Sequence, residues 1–443
     1  MRRHKIVTAI LVMILLGILV GFVYHLPPVH DRLSWRLYNL RVQIYRVFNP
    51  PEDVVFVPGE QVDEAILATR LALTPSATAT SAPTITSSPT QTATNPPPTG
   101  TPTTTPTQTP TNTSTPTPTA IPPKVALTSF THEWQTFNNC GPANLSMALS
   151  YWGWSGNQHI TKNYLRPDDR DKNTMPREMV AFVETQTKLN ALWRYGGDLD
   201  LLRGLIAAGF PVIIEIGYYK PDEYWVGHFV TVSGYDDAAE HFITQDSLLG
   251  PDKIYSYQHL ESRWRDFNFV YVIIFSSEYD NNLLEILEQH ADPVYGYQVG
   301  ALRALHEIET LEAVDRYYAK LNLGTSLVML EDYQAAAKAY DDAFAYYPSV
   351  PTDKRPWRML WYQDGPYLAY YHTGRYQDVI DLANTTLPMG DGTLEESLYW
   401  RGMAKEALGD VSAAISDFRL AYTINPNSTP ARQELERLGA SVP

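Results

Sequence analysis

The chain has 443 residues, of which 44% are hydrophobic, 12% aromatic and 19% charged, enough apolar content for two or three folded domains and too much for a wholly disordered chain. Its single cysteine, Cys140, excludes an intramolecular disulfide framework and a cysteine-rich zinc site. Residues 124–443 hold 26 basic and 43 acidic side chains, a net charge of −17, which argues against binding to nucleic acid or to an anionic lipid surface.

The N-terminus has the pattern of a membrane segment. Residues 6–26 form a run without a formal charge that ends at Pro27 and Pro28, and about 20 apolar residues cross a bilayer as a helix. No small-residue cleavage site follows the run, so it predicts an uncleaved signal-anchor helix rather than a cleaved signal peptide. Residues 1–5 are then a cytoplasmic tail and residues 27–70 a juxtamembrane segment.

A Thr/Pro-rich linker follows at residues 71–123. It contains 13 of the 33 prolines and no charged side chain, so it cannot bury a core and is predicted to be disordered. Basic residues flank residues 6–26 in similar numbers on both sides, so the positive-inside rule does not decide the orientation. A long stalk is typical of domains held away from a membrane, which favours an extracytoplasmic location for the C-terminal domains; a cytoplasmic tether is the alternative.

A candidate nucleophile lies at the start of a predicted helix. Asn139 is placed to cap that helix and Pro142 lies in its first turn, which puts Cys140 at the helix N-terminus. The helix dipole and the free N–H groups there favour the thiolate, the form of cysteine that attacks carbonyl carbons. A lone cysteine is more often a small buried hydrophobe, and this alternative stays open on the helix pattern alone.

Two predicted strands downstream carry the remaining chemistry. The strand over residues 227–235 begins with Gly227-His228, and the strand over residues 241–247 ends at Asp246. A hairpin of these strands would bring Asp246 beside His228. The Cys140 helix, packed on the same sheet, would then complete a nucleophile, a base and an orienting carboxylate.

At these residues the sequence resembles the papain-like, double-glycine (bacteriocin-leader-processing) cysteine peptidase family and its free-standing relatives. The resemblance covers residues 125–276. The motifs that carry it are Gln135…Asn-Cys140-Gly-Pro-Ala, Gly227-His228-Phe-Val-Thr-Val and Thr244-Gln245-Asp246-Ser247.

The resemblance implies an α+β papain-like fold and a role for each matching residue. Cys140 would be the nucleophile, His228 the base that later protonates the leaving amine, and Asp246 the group that orients His228. Gln135 would help the Cys140 N–H to form an oxyanion hole. His132, His159, His241 and His259 show no metal-ligand spacing with carboxylates or with Cys140, so we expect no metal site, and no cofactor is expected.

This sequence departs from the family in two ways. Gln135 precedes the cysteine by five residues where the family has six, so Asn138 and Asn139 are alternatives for the oxyanion hole. The chain also lacks the ATPase signature of the leader-processing exporters, so their substrate is not carried over. Papain-like sites also serve amidases, acyltransferases and inactive binding proteins, and these remain alternatives to a peptidase.

The C-terminal third has the pattern of helical repeats. Residues 317–348 and 395–426 match the tetratricopeptide pattern, and residues 357–387 are a degraded copy between them. We therefore expect a papain-like α+β domain at residues 124–276 and an all-α tetratricopeptide solenoid at residues 277–443. The expected partners are a peptide or protein substrate for the first domain and a docking protein or substrate for the second.

Overall fold

The computed structural model describes residues 121–219 and 225–443, together with Leu15, Val23, Phe56 and Pro58. The predicted signal-anchor helix and the predicted linker lie outside the described residues, except for Leu15 and Val23, which are helical and exposed, and for residues 121–123 at the end of the linker. In the part of the chain that is described, no helix combines the length and the apolar composition needed to span a membrane.

The first half of the described chain is built on one antiparallel sheet, in the order β2-β7-β3-β4-β5-β6 with β1 paired to β4. Its strands are β1 (Lys124–Ala126), β2 (Asn190–Arg194), β3 (Val212–Tyr219), β4 (Trp225–Asp236), β5 (His241–Asp246), β6 (Gly250–Ser256) and β7 (Tyr271–Phe275). The strands that the sequence predicts at residues 227–235 and 241–247 correspond to β4 and β5.

The long strand β4 changes its neighbours halfway along. Its first part pairs with β3, from Trp225 opposite Tyr219 to Val232 opposite Val212. On its other side, β5 pairs with β4 only from Thr231 onward. Residues 225–230 therefore have no strand beside them on that side within the described chain, and this free edge faces the first helix.

Six helices cover the two faces of the sheet, namely α1 (Cys140–Tyr151), α2 (Gln158–Leu165), α3 (Pro176–Gln186), α4 (Leu199–Ala207), α5 (Tyr257–Trp264) and α6 (Asp280–Leu287). Leu145 of α1 and Phe182 of α3 pack with Phe229 on one face. Leu205 of α4 and Trp264 of α5 pack on the opposite face. Successive side chains of a strand point to opposite faces, so Phe229 and His228 face opposite sides of the sheet.

The C-terminal region is helical, as predicted. Its helices are α7 (Pro293–Thr310), α8 (Ala313–Met329), α9 (Tyr333–Tyr346), α10 (Gly365–His372), α11 (Tyr376–Met389), α12 (Glu395–Ala407), α13 (Val411–Ile424) and α14 (Thr429–Arg437). A Cβ added to Gly324 of α8 would lie 2.7 Å from the Tyr340 ring of α9, and one added to Gly402 of α12 would lie 2.6 Å from the Phe418 ring of α13. The same close approach of glycine and aromatic ring thus recurs in two helix pairs.

The middle helix pair differs from its sequence prediction. The degraded copy was predicted to begin at Trp357, but α10 begins only at Gly365 and spans 8 residues. Residues 349–364 instead form an irregular segment with short 3₁₀ turns. Phe56, which belongs to the predicted juxtamembrane segment, is buried against Phe344 and Tyr370 of the helical region, with ring centroids 5.2 and 5.8 Å away.

Candidate active site

Cys140 is the first residue of α1 and lies against the free edge of β4. The backbone N–H of Phe229 donates to its sulfur, and the His228 ring forms a hydrogen bond with the same atom. Ala143 donates its N–H to Asn139, while Cys140 and Gly141 lie in the first turn, where N–H groups have no acceptor within a helix. The sulfur therefore lies between a histidine and a set of unsatisfied N–H donors.

His228 and Asp246 are in contact, as the strand pattern predicts. His228 Nε2 lies 2.9 Å from Asp246 Oδ1, which leaves Nδ1 of the ring for the sulfur. Asp246 is fully buried, and it also accepts hydrogen bonds from the Tyr255 hydroxyl at 2.7 Å and from the Leu248 and Leu249 N–H groups at 2.8 and 3.0 Å. Four donors thus hold this carboxylate in one orientation.

The pKa values of Cys140, His228 and Asp246 depend on one another. Burial raises the pKa of the Cys140 thiol, but the hydrogen bond and positive charge of His228 outweigh burial, and the pKa ends below its ordinary value. Burial lowers the pKa of His228, but the Asp246 charge and hydrogen bond and the sulfur together raise it to about 10. Burial raises the pKa of Asp246, whereas His228 and Tyr255 hold it well below its usual range. The arrangement favours a thiolate beside an imidazolium.

Gln135 is connected to Cys140 through other residues. Its Oε1 accepts from the Ser247 hydroxyl at 2.8 Å, and its N–H donates to the Ser247 carbonyl at 2.9 Å. Ser247 Oγ in turn accepts from Asn144 Nδ2 at 3.1 Å, and the same amide donates to the Cys140 carbonyl at 3.0 Å. The carbonyl end of the Gln135 side chain is thus fixed on Ser247, and its NH₂ group forms no hydrogen bond with a described residue.

The two alternatives for the oxyanion hole have structural partners of their own. Asn138 Nδ2 donates to the Lys172 carbonyl at 3.0 Å. Asn139 Nδ2 donates to Gln158 Oε1 at 2.8 Å, so its side chain does not cap α1 as predicted. The prediction of a side-chain cap is wrong because the Asn139 backbone, at φ −115° and ψ 25°, is not in the extended conformation that turns a capping oxygen towards the helix N–H groups, and only its backbone carbonyl accepts from the helix.

A small cavity of about 20 Å³ adjoins Cys140. Its lining residues are Asn138, Cys140, Gly141, Lys172, Asn173, Thr174, Glu215, Gly227, Phe229 and Tyr362. Tyr362 comes from the irregular segment of the helical region, and the Gly227 N–H donates to its hydroxyl. A Cβ added to Gly227 would lie 3.0 Å from the Tyr362 ring. The C-terminal region therefore supplies a wall directly beside the cysteine.

Sequence reasoning missed three residues of this site. Asn144 lies in the middle of the apolar face of α1, and Tyr362 lies far along the chain in an insertion, so neither carries a motif. Glu215 has a signal that was available, because it is the single acid within the apolar strand Val-Ile-Ile-Glu-Ile. Trp225, three residues before His228, belongs to the core, since it is buried and its Nε1 donates to Asp266 Oδ2 at 2.8 Å.

His132 precedes the cysteine closely in sequence and contacts residues other than Cys140 and His228. Its Nδ1 is 3.3 Å from Gln245 Oε1, and its ring packs edge-on to Trp134. Across the described residues, no group of three or more histidine, cysteine or carboxylate side chains is placed to hold a metal ion.

Comparisons with known proteins bear on residues 123–272, which match the model of a family described as the Peptidase_C39 like family. A C39-like peptidase from Bacillus anthracis is 17% identical, with a TM-score of 0.30, and the match covers 34% of this chain and 98% of that one. Xylellain, a cysteine protease from Xylella fastidiosa, is also 17% identical, with a TM-score of 0.28 and coverage of 35% and 87%. The family match supports the papain-like fold predicted for this region.

A curated mouse protein, described as FK506-binding protein-like, is 28% identical over 134 residues, 30% of this chain. The chain spans 38% of that relative's length.

The lowered pKa of Cys140 leads to a prediction about its reactivity. A free thiol with a pKa of about 8.5 is almost wholly protonated at pH 6, whereas a larger fraction of Cys140 should be thiolate because its pKa is lowered by His228, which keeps its own proton up to a pKa of about 10. Iodoacetamide should therefore alkylate Cys140 at pH 6 at least about tenfold faster than it alkylates free cysteine. His228→Ala should remove most of this advantage, and equal rates for wild type and free cysteine would contradict the thiolate. Labelling is unambiguous because the chain has no other cysteine.

The Tyr362 wall leads to a second prediction, about access. Tyr362→Ala removes the ring beside Gly227, whereas Tyr362→Phe keeps the ring and removes only its hydroxyl. We expect Tyr362→Ala to raise the rate of Cys140 labelling by a bulky biotin maleimide several-fold, with little change for iodoacetamide. Tyr362→Phe is the matched control and should resemble wild type. A bulky reagent that labels wild type and Tyr362→Ala equally fast would show that Tyr362 does not limit access.

Proposed function

We propose that the chain is a papain-like cysteine hydrolase that cleaves peptide bonds in peptide or protein substrates. The observation that carries the proposal is the chain of contacts from the Cys140 sulfur through the His228 ring to the Asp246 carboxylate. The family match over residues 123–272 supports the same reaction class.

In the proposed reaction the Cys140 thiolate attacks the carbonyl carbon of the scissile amide. The negative charge that develops on the carbonyl oxygen is stabilised by the N–H groups at the start of α1, with the Gln135 amide as the further donor. His228 then gives its proton to the leaving amine, and a thioester forms between the acyl group and the sulfur. A water molecule, deprotonated by His228, attacks the thioester and releases the acid and the thiolate.

Asp246 takes part as a positioning residue. It fixes the His228 ring through Nε2 and stabilises the imidazolium, while Tyr255 and the two backbone N–H groups keep the carboxylate in place. The alternative function is a catalytically inactive binding protein, or a papain-like amidase or acyltransferase. The lowered pKa of Cys140 favours the hydrolase over an inactive scaffold, because a scaffold has no use for a thiolate.

Hydrolysis of a fluorogenic peptide library tests the proposal. Cys140→Ala should abolish cleavage, and Asp246→Asn should lower turnover by a factor on the order of 10 to 10⁴. Asp246→Ala should lower turnover clearly more than Asp246→Asn does, because it also leaves the four donors around this position without an acceptor.

The matched control for these variants is Asp237→Asn. Asp237 also accepts a tyrosine hydroxyl, that of Tyr257 at 2.7 Å, but has no contact with His228. The Asp237→Asn variant should cleave the peptides at the wild-type rate. Thermal unfolding of each variant distinguishes a loss of catalysis from a loss of folding. Full cleavage by a folded Cys140→Ala protein would overturn the proposal.

We propose further that residues 6–26 anchor the chain in a membrane and that the linker holds the folded part outside the cytoplasm. The uncharged run and the proline-rich stalk support this placement. Protease added to intact cells should cut the stalk and release an acidic soluble fragment. Protection of the stalk in intact cells together with cleavage after lysis would place the folded part in the cytoplasm.

We propose that the helical region is a tetratricopeptide-type scaffold that docks substrates or a partner protein. The recurrent glycine and ring pairs of α8 with α9 and of α12 with α13 support the repeat assignment. The position of Tyr362 beside Cys140 supports a part in substrate access, because a docked chain would pass this residue on its way to the sulfur.

A further inference from the structure

Glu215 is a buried carboxylate next to the cysteine that the proposed reaction does not use. It lies on β3 opposite Phe229, so both side chains are on the sheet face on which α1 packs. Only 4% of the residue is exposed. No described residue forms a hydrogen bond or an ion pair with its carboxylate, and the charged groups that act on it are Cys140 and His228. An acid of this kind without a partner is uncommon in a folded protein.

The carboxylate borders open space. Glu215 lines the cavity at Cys140 and also a second cavity of about 30 Å³, which extends towards Trp193, Tyr195 and Thr325. Tyr362 lines both cavities too. Glu215 and Tyr362 therefore lie between the cavity at Cys140 and the second cavity, which is lined by residues of both the sheet and the helical region.

Other polar atoms at this place are also unsatisfied. Asn173 Nδ2 and Thr174 Oγ1 are buried, line the cavity at Cys140 and have no hydrogen-bond partner among the described residues. Thr174 Oγ1 is an acceptor that lines the same cavity as Glu215, and Asn173 Nδ2 is a donor suited to a peptide carbonyl. Two orphaned polar atoms and a carboxylate around one cavity indicate a site built for a polar ligand group, since buried polar groups are otherwise paired.

The chemistry of the lining favours a cation. A buried carboxylate and a hydroxyl oxygen provide acceptors, and Trp193, Tyr195 and Tyr362 provide aromatic rings of the kind that attract positive charge. Two cations also line these cavities, but each is paired with another acid, Lys172 with Asp391 at 3.1 Å and Arg177 with Asp364 at 3.0 Å. The cavities of about 20 and 30 Å³ each hold one to three waters, which is room for an ammonium group with its last methylene and too little for a guanidinium. The net charge of −17 on residues 124–443 would attract such a ligand.

We infer that Glu215 forms a subsite that binds an ammonium group of the substrate, on a residue close to the scissile bond. This inference rests on the proposed function, because it assigns the substrate class of the same site. Burial raises the pKa of Glu215 well above its usual range, and the Cys140 thiolate raises it further while His228 lowers it. The charge of an arriving ammonium opposes this effect of burial and favours the carboxylate, and any proton that Glu215 holds passes to water.

Binding to Cys140→Ala protein tests the subsite without requiring cleavage. The probes are acetylated alanine pentapeptide amides with one lysine placed at each position in turn, compared with norleucine and with Nε-acetyl-lysine at the same positions. A charged hydrogen-bonded contact predicts that at least one lysine peptide binds roughly 10- to 100-fold more tightly than its norleucine counterpart at 0.15 M salt. Norleucine peptides with a free N-terminus are also measured. If they bind more tightly than the acetylated norleucine peptides, the ammonium group is an α-amine.

The variants decide between a subsite and a general attraction of cations. In the Cys140→Ala background, Glu215→Gln should bring the affinities for lysine and norleucine peptides to within about twofold of each other. If the glutamine variant does not fold, Glu215→Met is used in its place. Glu240→Gln is the matched control, since it removes the same charge from an exposed position and should keep the preference. Retention of the preference in Glu215→Gln, or no gain from any ammonium, would overturn the inference.

The two proposals fail separately. A library that is never cleaved overturns the proposed hydrolase while the binding measurement on Cys140→Ala still tests Glu215. Conversely, Cys140-dependent cleavage with no difference between lysine and norleucine peptides retains the hydrolase and overturns the subsite.

Discussion

The candidate site depends on one buried amide, the side chain of Asn144, which fastens α1 to the free edge of β4. Asn144 Nδ2 donates to the Phe229 carbonyl at 2.7 Å and to its own helix at Cys140, and its Oδ1 accepts from the Thr231 hydroxyl at 3.0 Å. A helix lying along a strand edge must satisfy the backbone groups that a neighbouring strand would otherwise pair. Asn144 donates to the Phe229 carbonyl, and the Cys140 sulfur accepts from the Phe229 N–H. Contacts with one residue of this edge therefore fix both the position of the helix and the position of the sulfur.

This placement brings the sulfur between the two faces of the sheet. His228 and Glu215 project from opposite faces at neighbouring register positions, His228 opposite Ile216 and Glu215 opposite Phe229. A group at the edge of β4 is reached from both sides, which is why the sulfur interacts with both the imidazole and the buried acid. The imidazolium, which Asp246 stabilises, lowers the pKa of Cys140 from one side, and on the other side burial raises the pKa of Glu215 well above its usual range.

Local patterns predicted where Cys140, His228 and Asp246 lie on their helix and strands, and the family resemblance added a role for each. Cys140 precedes a helical apolar stripe, and His228 and Asp246 stand at the ends of alternating strands, so each position follows from a short window of sequence. The hairpin register then brings His228 to Asp246. The roles of Asn139 and Tyr362 depend on residues distant in sequence, Gln158 for the first and Gly227 for the second. No spacing rule predicts such partners, because tertiary packing selects them.

The helical region belongs to the same core as the sheet. Trp225 stacks on Phe267 and contacts Tyr318 of α8 and Tyr362, with ring centroids 5.5 to 5.9 Å apart, so the apolar core continues across the boundary predicted at residue 276. Arg177 of α3 pairs with Asp364 at 3.0 Å, two residues beyond Tyr362. Any motion that withdraws Tyr362 from the sulfur to admit a substrate therefore also strains an ion pair and an aromatic cluster. If a chain docks on the helices as proposed, the energy of docking offsets that cost and links recognition in one region to access in the other.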